Sequence, residues 1–278
     1  MVYTFGVRGV LAVVCLLVAS TAHAQKPLGA YDCGDHPPTW ATVCTLSDLD
    51  PPHVWAEAKA LSVTRGIVWW LKVGYHNDPR VPIGAHAALV RARIDAYGLL
   101  PYIAGQSLGE EWHTQWVANA FAVYGFPATY PNGHRVIRDW LTYQHGELKR
   151  HIPVPVVWVT PVISDWDGAW PVPRNTDAVA MDPYMPRDGV WALDVESWLW
   201  RAEESTDLPL VLVAQWFDAP GYAKPRAEDV ARYLSWLARP RWIALVAFTW
   251  RDRPGLDMTG MESLPALRAA VESAMGSR

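Results

Sequence analysis

The sequence predicts an α/β protein built on a parallel sheet, on three observations. Short runs rich in Val, Ile, Leu and Trp alternate with amphipathic segments along the chain from residue 39 onward. Several of those runs are nearly continuous in apolar residues, as strands covered on both faces are. Helix stop signals close several of the amphipathic segments.

The elements follow in order. Strands are expected at 39–46, 66–73, 99–105, 154–162, 177–184, 208–217 and 242–250, and helices at 52–64, 84–97, 135–152, 194–204, 227–237 and 263–275. Gly98 follows the second helix, where the cap favours a residue that tolerates a left-handed backbone. Pro153 and Pro240 follow the third and fifth helices. Within 135–152, Val136, Ile137, Trp140, Leu141 and Leu148 fall at helical spacing on one stripe, so Trp140 is expected in the core. Seven strands come close to the eight of a closed (β/α)₈ barrel, and the length suits that fold. The rival, an open doubly wound sheet, normally carries a Gly-rich phosphate turn after an early strand, and no such motif is present. Without an internal repeat or linker, residues 25–278 read as one domain.

Composition narrows the function. Of 278 residues, 51% are hydrophobic and 19% charged, which excludes a disordered chain. A net charge of −4 leaves no electrostatic footprint for nucleic acid. The chain has 17 Trp against 5 Phe, an excess that suggests flat surfaces for a ligand as well as core packing.

The first 24 residues read as a secretory signal peptide. Arg8 supplies the positive region, Val10 to Val18 the short apolar run, and Ala22-His23-Ala24 the cleavage site before Gln25. The apolar run is too short to span a bilayer comfortably, and no later stretch is long and charge-free enough. Val14 before Cys15 argues against a lipid anchor, since that signal wants a small residue there. A secreted or periplasmic location follows, with no membrane attachment after cleavage. Cys33 and Cys44 are then expected to form a disulfide tying the N-terminal segment 25–50 to the body. Two thiols without CxxC or a close His pair make a poor metal site, so no metal is expected, even with His36 near. His76, His113, His134, His145 and His151 are scattered, with no HExxH and no GxSxG elbow.

In a (β/α)₈ barrel the chemistry sits at the C-terminal ends of the strands. The run 99–105 leads into Gly109-Glu110-Glu111-Trp112, whose carboxylates also suit a helix N-terminus. In 177–184, alternation places Ala178, Ala180, Asp182 and Tyr184 on one face and Val179 and Met181 on the other. Asp182 also suits a turn before Pro183. Further strand ends carry Trp69 and Lys72, Asp165 and Trp166, Gln215, Trp216 and Asp218, and Trp250. Carboxylates beside aromatic platforms fit sugar chemistry. A pyranose lays its C–H face on an indole, one carboxylic acid protonates the glycosidic oxygen, and a second carboxylate attacks or activates water.

On these residues the chain resembles the TIM-barrel glycoside hydrolases at superfamily level. Leu108-Gly109-Glu110-Glu111-Trp112 is similar to the end of their fourth strand, 177–184 to their sixth, and 243–250 to an eighth that often ends in an aromatic. The resemblance implies Glu111 as general acid, with Glu110 as the second choice, and a carbohydrate substrate without a cofactor. It departs at strand seven, where many such enzymes place a glutamate nucleophile and this chain has Gln215. Asp182 is the first choice for the second carboxylate, with Asp165 and Asp218 behind it. Trp69, Trp112, Trp166, Trp216 and Trp250 are expected as platforms, and Lys72, Tyr184 and Gln215 as hydroxyl-binding groups. The alternative is a barrel that binds carbohydrate without cutting it. The oligomeric state is not readable from the sequence.

Overall fold

The computed structural model describes residues 26–34, 36–74, 83–108, 132–161, 172–183 and 191–276. Eight strands form one sheet: β1 (Leu28–Ala30), β2 (Val43–Ser47), β3 (Val68–Val73), β4 (Ile103–Leu108), β5 (Val157–Pro161), β6 (Ala178–Asp182), β7 (Leu210–Gln215) and β8 (Trp242–Phe248). Their order is β4-β3-β2-β1-β8-β7-β6-β5, with every ladder parallel. The two ends meet at a parallel bridge between Gln106 and Val156, where the Gln106 N–H donates to the Pro155 carbonyl at 2.8 Å. This closes the sheet into the (β/α)₈ barrel. The helices among the described residues are α1 (Pro52–Arg65), α2 (Ile83–Tyr97), α3 (Asn132–His151), α4 (Trp191–Ser205), α5 (Ala227–Leu237) and α6 (Pro265–Gly276).

Local chemistry sets these boundaries. Gly66, at φ 69°, caps α1 in the left-handed region, and its N–H donates to the Ser62 carbonyl. Gly98, at φ 60°, follows α2 in the same way. The strand expected from residue 99 starts later, because Leu100–Tyr102 form a 3₁₀ turn with Pro101 inside it. The strand that the sequence did not announce is β1. It has three residues, too few for any periodicity to show, and its centre is Gly29. A Cβ at Gly29 would lie 2.7 Å from the Val43 carbonyl oxygen, so glycine is what lets β1 lie against β2. With β1 counted, Ile103–Leu108 is strand four, and Glu110 and Glu111 follow it in sequence.

Cys33 and Cys44 are disulfide-bonded, with their Cα atoms 5.8 Å apart. The bond joins the turn after β1 to the middle of β2. Residues 28–47 are therefore two staves of the barrel, where the sequence had suggested a segment tied onto it.

Strand alternation sorts the core into two layers. Leu46, Trp69, Leu71, Val179, Met181, Leu212, Trp216, Trp242 and Leu245 pack outward with the helices. Val43, Trp70, Val157, Val159, Ala178, Ala180, Val211, Val213, Ala244, Val246 and Phe248 fill the barrel.

Candidate active site at the barrel mouth

The inward positions at the C-terminal strand ends are polar. Continuing the alternation beyond the apolar fill brings Thr45 and Ser47 from β2, Lys72 from β3, Asp182 from β6 and Gln215 from β7 to one mouth. Ser107 of β4 joins them: it is the register partner of Lys72, which is in turn the partner of Ser47. Below lies an aromatic floor. The Tyr31 ring meets Trp70 at 5.5 Å and Phe248 at 5.2 Å, and Phe217 meets Phe248 at 5.6 Å, all edge to face. The Lys72 ammonium stands 5.1 Å from the Tyr31 ring centroid.

Ion pairs and hydrogen bonds fix the walls. Asp32, directly after Tyr31, accepts hydrogen bonds from Arg253 and from the Thr249 hydroxyl, and its own N–H donates to Thr45 Oγ1 at 2.8 Å. The Arg253 guanidinium covers the Phe248 ring at 4.8 Å. Asp50 accepts from the Ser47 N–H at 2.6 Å. Burial pushes the Asp50 carboxyl up, the Asp32 charge adds to this, and the Ser47 bond, Lys72 and Arg93 oppose it. Across the mouth, the Gln215 amide donates to the Ala223 carbonyl at 2.8 Å. The Tyr233 hydroxyl of α5 accepts from the Gln215 N–H and donates to the Pro183 carbonyl, both at 3.2 Å. It thus ties together the strand ends that carry Asp182 and Gln215.

The expected site residues divide. Asp182, Gln215 and Lys72 face the mouth, with Asp182 and Gln215 buried and Lys72 half-buried. Trp69, Trp216 and Trp250 do not, which corrects their assignment as platforms. Trp69 is fully buried among the helices, its Nε1–H donating to Ser62 Oγ of α1 at 2.8 Å. Trp216 is fully buried between Trp40 and Tyr233. Trp250 packs on Trp40 in the same layer. The reason is parity: in β3 and β7 the inward place next to each Trp is taken by Trp70 and Gln215. In β8 the ladder ends at Phe248, so alternation no longer governs Trp250. Asp218 lies past β7, paired to Lys224 at 3.1 Å. Glu110, Glu111, Trp112, Asp165, Trp166 and Tyr184 lie outside the described residues.

Sequence reasoning missed Tyr31, Asp32, Ser107, Phe217 and Phe248 as parts of the mouth, and of the two rim neighbours it chose Trp69 as the platform where Trp70 faces inward. Once the structure shows which face of each strand is inward, parity accounts for Trp70, Phe217 and Phe248. Tyr31 and Asp32 depended on recognising β1. Buried His145 of α3 is not part of the mouth. Its Nδ1 lies 3.0 Å from Thr176 Oγ1, and burial, with the Lys149 charge, lowers its pKa to about 3. Among the described residues no group of three or more His, Cys, Asp or Glu side chains comes together to hold a metal.

A closed eight-stranded α/β barrel with its polar groups gathered at the C-terminal mouth is the TIM-barrel class. Within that class the fold is shared with glycoside hydrolases of known structure. A GH113 β-1,4-mannanase aligns with a TM-score of 0.54 at 14% identity, over 86% of this chain and 89% of its own. The GH18 chitinase ChiB from Flavobacterium johnsoniae aligns at 0.53 and 8% identity, over 92% and 95%. A β-glucuronidase from Bacteroides uniformis aligns at 0.53 and 13% identity over 76% of this chain, which spans 26% of that longer protein. No protein-family model and no curated protein sequence matches the chain.

Proposed function

We propose that the protein is an exported glycoside hydrolase that cleaves a poly- or oligosaccharide at the C-terminal mouth of the barrel. The observation that carries this reading is the convergence of Asp182, Lys72, Ser107 and Gln215 above the Tyr31–Trp70–Phe248 floor. The fold shared with a mannanase and a chitinase supports it. In this reading Glu111, after β4, is the general acid, with Glu110 as second choice. Asp182, inward at the end of β6 above the small residues Ala178 and Ala180, is the second carboxylate. Trp112, Trp166 and Tyr184 remain the proposed sugar contacts. Carboxyls about 5 Å apart give retention, and about 6.5–9.5 Å inversion. Removal of residues 1–24 on export fits the buried disulfide, which persists in an oxidising compartment. Among the described residues no helix is long and apolar enough to cross a membrane.

One observation favours a second reading, a barrel that binds glycans without cutting them. Strand seven ends in Gln215, and its amide is held on the Ala223 carbonyl. A reducing-end release assay over a polysaccharide panel decides. Glycosidase action with Glu111 as acid predicts product from the wild type and a fall of about a hundredfold or more in Glu111→Gln. Release that is undiminished in Glu111→Gln moves the acid elsewhere. Binding without any release establishes the second reading.

A further inference from the structure

We infer that Tyr233 is a positioning residue: its hydroxyl is a spacer built into the joint between β6 and β7, and it sets how far apart Asp182 and Gln215 stand at the mouth. This rests on the reading of Asp182 as the second carboxylate. It adds a residue that lies behind the sheet, in the layer shared with the helices. Tyr233 belongs to α5, is fully buried, and meets Trp236 at 5.1 Å and Trp216 at 6.3 Å, both edge to face.

The hydroxyl takes the place of a backbone rung. In this sheet a strand N–H donates to the carbonyl of the residue before its register partner. Val179, paired with Leu210, donates to Pro209, and Leu210, paired with Trp242, donates to Arg241. The β6–β7 register runs Val179↔Leu210, Ala180↔Val211 and Met181↔Leu212, and there the pairing ends. Continued without a shift, it would bring the Gln215 N–H directly onto the Pro183 carbonyl. Both groups instead bond the Tyr233 hydroxyl, which accepts from the first and donates to the second, each at 3.2 Å. The flanking ladders run further: β5–β6 reaches Pro161↔Asp182, and β7–β8 reaches Gln215↔Phe248. The mouth therefore parts between β6 and β7, with Asp182 on one side and Gln215 on the other.

An aromatic ring alone would pack against Trp216 and Trp236, so packing does not call for the hydroxyl. Burying one is costly unless its partners are supplied, and here the two strand ends supply both. Burial also pushes the phenol pKa up, so the hydroxyl stays a donor to Pro183. The β7 end is anchored on its own side, since the Gln215 amide donates to the Ala223 carbonyl at 2.8 Å. The width of the inserted oxygen is then passed to β6, where Asp182 directly precedes Pro183. Displacing a reacting group by about 1 Å can cost on the order of a hundredfold in rate.

The test is Tyr233→Phe, which keeps the ring and deletes the spacer. Its crystal structure should show β6 and β7 drawn together, with the Gln215 nitrogen about 2.9 Å from the Pro183 carbonyl oxygen. On a polysaccharide that the wild type cleaves, kcat should fall about tenfold or more while KM stays within about twofold, because binding is kept and a reacting group is displaced. A merely structural role predicts a lower melting temperature with kcat per folded molecule unchanged, and that result overturns the positioning role. Strands that stay apart, with a water in the hydroxyl's place, overturn the spacer. Should Tyr233→Phe fold poorly, NMR of the wild type decides. A slowly exchanging Tyr233 hydroxyl proton in contact with the Gln215 amide proton is expected, and a hydroxyl proton in fast exchange, or without that contact, overturns the insertion. If the wild type releases nothing from any polysaccharide, the glycosidase reading falls, while the Tyr233→Phe structure still decides the spacer.

Discussion

Trp69 and Trp70 are chemically identical neighbours in β3 that the barrel puts to different uses. Trp69 is sealed among the helices, with its N–H on Ser62; Trp70 lies inside the barrel against Tyr31, beneath Lys72. The same division holds at Trp216 and Gln215 across the mouth. Outward aromatics bury area that stabilises the barrel, whereas inward ones floor the place where a ligand would sit. An abundance of tryptophan is therefore no measure of a binding surface until the strand faces are known.

The comparison predicts effects of different kinds for the two layers. The largest is expected in the outer layer. Trp216→Ala should cost about 3–5 kcal/mol of stability, from lost burial and a cavity beside Trp40 and Tyr233. Denaturant unfolding measures this, and a loss below about 1 kcal/mol would mean that Trp216 is not packed as described.

The disulfide comes next, because it crosses the division: its sulfurs lie in the outer core, yet it holds the turn that carries Asp32. Replacing Cys33 and Cys44 together by Ala should cost about 2–4 kcal/mol. Weaker binding of long oligosaccharides should accompany the loss at temperatures where the barrel stays folded. A melting shift without any binding change would separate the turn from the site.

The smallest effect is one of pH on the outer layer alone. His145 has a folded pKa of about 3, below its ordinary 6.5, so the unfolded chain binds the extra proton first as pH falls. Its neutral burial costs nothing well above pH 6.5, and stability is lost progressively from there down toward pH 3. Between pH 6.5 and 5.5 the loss should be about 1 kcal/mol. His145→Asn should remove that part of the slope, and equal slopes in the two proteins would show that His145 does not cause it.

Much of the fold was legible because it is written in local patterns. Helix 227–237 matches α5 at both ends, and the other helices and most strands shift by a few residues where caps and turns refine them. Asp182 could be placed inward from the Ala178–Ala180–Asp182 alternation alone, since period two fixes a face once one position is known. Trp69, Trp216 and Trp250 could not. A strand covered on both faces is apolar throughout, so its sequence does not say which neighbour turns to the helices.

The sequence by itself determined the alternation of strands and helices, the pairing of Cys33 with Cys44, and the run of carboxylates after the strand near residue 105. Those are matters of composition, spacing and short-range propensity. Only the tertiary structure decided that three residues around Gly29 make the first strand. It also decided that the Tyr233 hydroxyl lies between Gln215 and Pro183, and that three of the expected tryptophan platforms belong to the core. Such outcomes depend on close approach between segments far apart in the chain: Gly29 against Val43, Asp32 against Arg253, Trp216 against Trp40. No local pattern encodes a contact whose two halves acquire meaning only when the barrel closes.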